Sequence, residues 1–230
     1  MSRVNLGLAP KSVIASTACF SGLTDDALIA IAAITTLHHF EQGEIVFLEG
    51  DPCNGLYIVQ DGWLKSLLVS PGGREQIIRL VGPGETFNEH GVFLKEGLNL
   101  VTVQTVEDSH VWLVDRNSLL ALMEKYPVLC RTILQNMAAR IVHLMRLVED
   151  LSLRTVESRL ARLLLEQSAG ESDRRRWATQ AEMAARLGTV VDVVNRALHK
   201  LEDQGLIRIV RHKIEIMDRV QLEQAAERRD

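Results

Sequence analysis

The chain has 230 residues, 47% hydrophobic and 24% charged, with a formal net charge of −4. That is long enough for two modest domains, each with its own core. The balance excludes a disordered chain, and the negative charge excludes a protein that coats nucleic acid over its whole surface; any basic surface has to be concentrated on one face. No apolar run approaches a membrane span, Met1–Lys11 lacks a secretory core, and Cys19, Cys53 and Cys130 are scattered without a CxxC pair. A cytoplasmic protein with no disulfide framework is expected.

Helical spacing opens the chain in "LTDDALIAIAAITTLHHF", behind a Thr-Asp-Asp cap. From Phe40 to about residue 115 the texture changes to short runs of Val, Ile, Leu and aromatics, cut by Gln-Gly, Asp-Gly, Pro-Gly-Gly and Gly-Pro-Gly. This pattern predicts an all-β roll. After Pro127 the apolar residues Cys130, Leu134, Met137, Ile141, Leu144, Val148 and Leu151 are spaced 4,3,4,3,4,3. A seam so regular predicts one long helix with a partner helix along it, hence a homodimer. A second row, Ala138, Val142 and Met145, is placed to pack on the β-domain. The charges Arg140, Arg146, Glu149 and Asp150 are placed for solvent or interhelical pairs.

The stretch "TQAEMAARLGTVVDVVNRALHKLEDQGLIRIVRHKIEI" predicts two helices joined at Gly188, followed by a hairpin. Thr179 and Glu182 form a capping box for the first helix, with Met183, Ala184 and Leu187 buried. Thr189 is expected to cap the second, which buries Val194, Ala197, Leu198 and Leu201. That leaves Val191, Asp192, Asn195, Arg196 and Lys200 on the open face. A helix that reads DNA needs short or forked polar groups there. Arg196 can bridge guanine O6 and N7; Asp192 can accept from a cytosine amine or complete a capping box with Thr189. Thr179, Gln180, Lys200, Arg208 and Arg211 suit phosphate oxygens.

Taken together, "GEIVFLEGDP", "LYIVQDGWLK", "GREQII", "GPGETFNE", "NMAARI" and "TQAEMAARLG…NRALHKLEDQGLI" resemble the Crp/Fnr family of bacterial regulators over nearly the whole chain. The resemblance implies an α+β architecture: an effector-sensing, cyclic-nucleotide-binding-like β-roll (1–126), a dimerisation helix (127–153) and a winged helix-turn-helix domain (154–230). It also implies that an effector reorients the DNA-binding domains. The expected partners are an inverted repeat of double-stranded DNA, a second copy of the chain and RNA polymerase. The family's base-reading trio falls on Val191, Asp192 and Arg196, and Asp192 departs from the usual residue.

Cyclic-nucleotide-binding members hold the phosphate with a Gly-Glu turn and an Arg-Ser pair. Here Glu89 is kept, Asn88 replaces the glycine, and Asn99 and Leu100 replace the pair; Leu144 and Met145 stand where hydroxyls usually meet the purine. Cyclic AMP is therefore not expected. Three dispersed cysteines do not make an iron–sulfur site. "GETFNEHGVF" resembles the family's haem-containing gas sensors, which makes His90 the candidate iron ligand, Leu144 and Met145 candidate gas-pocket residues and His143 a candidate second ligand. His38 and His39 point to opposite faces of a strand, against a clustered metal-enzyme site, and no nucleophile or paired-acid signature appears.

Overall fold

The computed structural model describes residues 11–168, 179–210 and 213–228. Arg211, the wing tip and the polar stretch before Thr179 lie outside the described residues. The chain divides into two compact units, the first running to Leu68 and resuming over Ile78–His143, the second made of Val69–Ile77 and Leu144 onward.

In the first unit, α1 (Lys11–Ser16), a 3-10 turn (Ala18–Phe20) and α2 (Asp25–Ala33) precede β1 (Thr35–Phe40) and β2 (Ile45–Phe47). Then come β3 (Gly55–Asp61), β4 (Leu64–Val69), β5 (Glu75–Val81), β6 (Thr86–Phe87), α3 (Glu89–Phe93), β7 (Thr102–Thr105) and β8 (Ser109–Asp115). The strands form two four-stranded sheets, ordered β1-β8-β3-β6 and β2-β7-β4-β5. Phe47, Tyr57, Val59, Leu64, Phe87, Val103 and Val111 alternate inward to fill the roll. The other face of the first sheet carries Leu37, Ile58 and Trp112, which pack in one core with Phe20, Ile31, Leu119, Leu129 and Ile133 from the helices. The β reading from Phe40 to about residue 115 holds except for the short helix α3, but the helical reading runs too far: Thr35–Phe40 is strand β1, paired along its length with β8. Thr24 occupies the cap position of α2, but its side chain makes no capping hydrogen bond.

Asp115 starts α4 (Arg116–Lys125) by accepting from the Ser118 amide at 2.8 Å. Next runs the 27-residue α5 (Pro127–Leu153), which contributes to both units. Leu129 and Ile133 are the α5 side chains most deeply buried in the first unit. Ala138, Val142 and Met145 do not pack on the roll as expected; all three are exposed. The row that faces the roll beyond Ile133 is polar, as described below, and so carries no hydrophobic signal.

The second unit holds α6 (Val156–Ser168), α7 (Gln180–Leu187), α8 (Val191–Asp203), a β9–β10 hairpin (Ile207–Val210, Lys213–Ile216) and α9 (Arg219–Glu227). Leu160, Leu164, Leu187, Val194, Leu198, Leu201 and Leu222 are its core. Arg154 is buried with its guanidinium 3.0 Å from Asp150, and its Nη1 donates to the Ala226 carbonyl at 2.7 Å. Asp150 also pairs with Arg162 at 2.7 Å. Glu149 and Asp150 therefore serve contacts within the chain, since Glu149 also lies 3.7 Å from Arg154.

Candidate functional site

Two sets of residues carry chemistry, one in each unit. In the second unit the capping box forms as expected. The Glu182 amide donates to Thr179 Oγ1, and the Thr179 amide donates to Glu182 Oε2, both at 3.1 Å. The helix ends at Gly188, whose φ of +66° is a left-handed conformation glycine adopts without strain. A Cβ there would also stand 2.5 Å from Gln76 Oε1 and 2.7 Å from Leu151 Cδ2, so both side-chain ends would have to move.

The second helix begins one residue later than expected. Val190, not Thr189, occupies its cap position, and no side chain supplies a capping bond. Thr189 is thus displaced from the cap, its amide held by the Ala184 carbonyl, and Asp192 has no capping-box partner in it. Freed from that role, the Asp192 carboxylate sits exposed in the first turn, where the helix dipole favours a negative group. Val194, Ala197, Leu198 and Leu201 are buried, which fixes the opposite face outward. Val191, Asp192 and Arg196 are exposed, Asn195 half-buried, and Gln180, Thr179 and Arg208 exposed around them.

Lys200 is exposed and ion-paired to α6. Its ammonium is held by both carboxylate oxygens of Glu157 on α6, at 2.8 and 2.7 Å, so its charge is compensated within the protein. It is a weaker phosphate candidate than Arg208. The expected role of Arg211 falls on a residue outside those described.

In the first unit, Asn88 is buried and holds φ +68°, the one described non-glycine residue with a positive φ. Its Nδ2 lies within hydrogen-bond distance of the Gly55 carbonyl (3.1 Å), Asn99 Oδ1 (2.9 Å) and Cys53 Sγ (3.3 Å). The adjacent Gly91 leaves room for it, since a Cβ there would stand 2.8 Å from Asn88 Oδ1. Asn99 is buried too, and its backbone bridges the loop at Gly50 and Asp51. Leu100, the other substitution, is exposed.

Glu89 is buried in a polar cluster that the sequence pattern does not reveal. Its Oε1 accepts from Thr86 Oγ1 at 2.5 Å and from Asn136 Nδ2 at 3.2 Å, and lies 3.6 Å from the Arg140 guanidinium. Arg140 and Arg79 both donate to the Thr86 carbonyl, at 2.8 and 3.1 Å. Arg140, expected at a solvent or interhelical position, instead ties α5 to the roll. Asn136 and Arg140 follow Leu129 and Ile133 at helical spacing, which is the one signal available in the sequence. Burial depresses the Arg79 guanidinium's pKa, with the nearby Arg140 charge acting the same way. Burial also lowers the His90 pKa; Arg140 adds to this while Glu89 opposes it. His90 is therefore a neutral imidazole near pH 7, and its buried Nε2 has no hydrogen-bond partner among the described residues. His143 Nε2 is 3.2 Å from the Ile78 carbonyl, so that ring is engaged by the roll. Cys19 is buried and its thiol pushed up to about 11 by desolvation; Cys53 is buried beside Asn88.

Of the seam, Leu134, Ile141 and Val148 are 64%, 58% and 62% exposed, and Leu144 and Leu151 are exposed as well. Cys130 and Met137 are half-buried, Met137 against the first unit's core. Leu144 and Met145 are expected beside the effector, but the α5 residues that Glu89 touches are Asn136 and Arg140.

A β-roll joined by a long helix to a helix-turn-helix with a β-hairpin defines a DNA-binding class of protein. Residues 37–126 match the cyclic nucleotide-binding domain, and residues 158–225 match the Crp-like helix-turn-helix domain. The chain belongs to the Crp/Fnr family of transcription regulators, which are not enzymes. It is similar to the cyclic AMP receptor protein of Thermus thermophilus, 29% identical over 90% of this chain and 95% of that one. It is also similar to the CRP-like cAMP-activated global transcriptional regulator of Mycobacterium tuberculosis, 27% identical over 93% and 98% of the two chains. Among solved structures, the Crp/Fnr-family regulator TTHA1359 of Thermus thermophilus matches with a TM-score of 0.69 at 25% identity, over 84% of this chain and all of that one. No described helix is long and apolar enough to cross a membrane.

Proposed function

We propose that the protein is a homodimeric, cytoplasmic transcription regulator that binds an inverted repeat in double-stranded DNA and answers to an effector other than a cyclic nucleotide. The α8 face carries this reading: Val191, Asp192 and Arg196 are exposed while the opposite side of the same helix is fully buried. Asn195 and Arg196 are the base-reading groups, with Asp192 set to accept from a cytosine amine. Thr179, Gln180, Thr189 and Arg208 border the phosphates. RNA polymerase is the partner through which a regulator bound at a promoter would act.

Exposed Leu134, Ile141, Leu144, Val148 and Leu151 support pairing through α5, because an apolar stripe at heptad spacing gains by burial against a second copy. The two-fold dimer would present one α8 to each half-site, about one helical turn apart.

Two of the relatives are named for cyclic AMP, but the cradle in this chain differs at the points that matter. Asn88 and Asn99 bond to each other, and Leu100 offers no hydroxyl, so a phosphodiester would meet neither the guanidinium nor the hydroxyl it needs. Haem is a second reading, supported by one observation: the neutral, unpartnered His90 Nε2 has the lone pair an iron ligand requires. His90 would hold the iron, and haem would supply gas binding. His143 Nε2 is held at the Ile78 carbonyl, which leaves Nδ1 as the nitrogen that a second ligand would use.

A fluorescence-anisotropy titration of labelled inverted-repeat DNA, repeated over salt, tests the DNA reading. A specific complex whose affinity falls steeply with salt supports it. Equal affinity for all sequences would overturn it.

A further inference from the structure

The outer face of the first sheet ends in a row of three side chains from three adjacent strands. His39 on β1 is the direct cross-strand partner of His110 on β8, and His110 is in turn the partner of Asp61 on β3. On the same face, one pair further along, Leu37 and Trp112 are buried under the helices. His39 and His110 are only half-buried, so the row stands at the open end of that cover.

Asp61 does two things to His110. Its Oδ1 accepts from the His110 backbone amide at 3.1 Å and lies 2.9 Å from His110 Nδ1. A carboxylate only accepts, so in the neutral ring Nδ1 carries the proton and Nε2 keeps its lone pair. A carboxylate holding the far nitrogen of an imidazole is the arrangement that orients histidine toward a metal. The second imidazole is already in place, with the His39 and His110 ring centroids 4.8 Å apart. Two histidines on one ion, each nitrogen about 2.0–2.1 Å from it, bring their centroids to about 4.5–5.2 Å.

We propose that His39 and His110 form a two-imidazole chelate for a borderline divalent cation of the copper, nickel and zinc group, with Asp61 as the positioning residue for His110. Imidazole nitrogen selects these ions over magnesium and calcium, which want oxygen. Among the described residues no group of three or more histidine, cysteine or acidic side chains is placed to hold an ion. The site therefore offers two nitrogens and leaves the remaining positions to water, which makes it an open and exchangeable one.

Equilibrium dialysis of the untagged full-length protein with nickel or zinc, read by elemental analysis, tests the assignment. One ion per chain is expected, with at least a tenfold loss of affinity in His39→Ala and in His110→Ala. Asp61→Asn should weaken binding by about 10- to 100-fold as a lost outer-shell partner does. His38→Ala, on the opposite face of β1, should bind as the parent does. Circular dichroism of each variant checks that the fold is kept. Undiminished binding in a folded His39→Ala/His110→Ala double variant, or no saturable binding by the parent, would overturn the assignment.

Discussion

Asn88 Nδ2 donates to Asn99 Oδ1 at 2.9 Å, joining two of the positions at which the chain departs from the nucleotide-binding pattern. The bond is buried and depends on a left-handed backbone at Asn88, a conformation asparagine tolerates better than most residues. The two side chains thus form one structural unit: Asn88 Nδ2 satisfies Asn99 Oδ1, Asn99 Nδ2 donates to the Leu48 carbonyl, and Asn88 Oδ1 has no partner among the described residues.

Asn88→Ala removes this bond and the one to Gly55, leaving buried acceptors unmatched while keeping a Cβ at positive φ. We expect a loss of about 2–3 kcal/mol and a melting transition several degrees lower. Asn88→Gly keeps the backbone relaxed and should cost less. Thermal unfolding followed by circular dichroism gives the order; glycine costing more than alanine would contradict it. Calorimetric titration with cyclic AMP should show no saturable heat in the parent protein.

At the DNA face, Arg196→Ala should weaken the specific complex by about 1–3 kcal/mol and relax preference at one base pair. Arg208→Ala should instead weaken all sequences alike and reduce the salt slope by about one. Lys200→Ala should change the slope little, because Glu157 already compensates that charge. Anisotropy at three salt concentrations separates the three outcomes.

Along α5, Ile141→Glu or Val148→Glu should convert the dimer to monomer, since each places a charge in the middle of the apolar stripe. Light scattering after gel filtration reads the mass. A dimer that survives both changes places the interface elsewhere.

His90 makes a prediction about acid stability. Burial lowers its folded pKa below the usual 6.5, so between those two values the unfolded chain binds the proton more readily than the folded one. Its contribution is present above about pH 6.5 and is lost as pH falls through that window. His90→Gln should flatten the fall in unfolding free energy measured by urea titration from about pH 7 to 5. If haem is the effector, the same substitution should weaken or shift the Soret band of reconstituted protein.

Much of this architecture is readable from spacing. The roll announces itself through turn residues and inward alternation, and α8 through its buried set Val194, Ala197, Leu198 and Leu201. The signals that fail are polar or long-range. Asn136 and Arg140 face the roll where an apolar row is expected, because the contact there is a hydrogen-bonded cluster around Thr86 and Glu89. Thr189 has the chemistry of a cap, yet the helix starts after Val190, as hydroxyl chemistry alone does not set the turn. The Asn88–Asn99 bond and the His39–His110–Asp61 row join residues that only strand register and the intervening loops bring together.

The most direct test of the central claim is sedimentation of the full-length protein with a labelled inverted-repeat duplex. A complex of two chains per duplex, lost when one half-site is scrambled and in Arg196→Ala, is the predicted result. A single chain bound with equal affinity to scrambled and intact sites would contradict it.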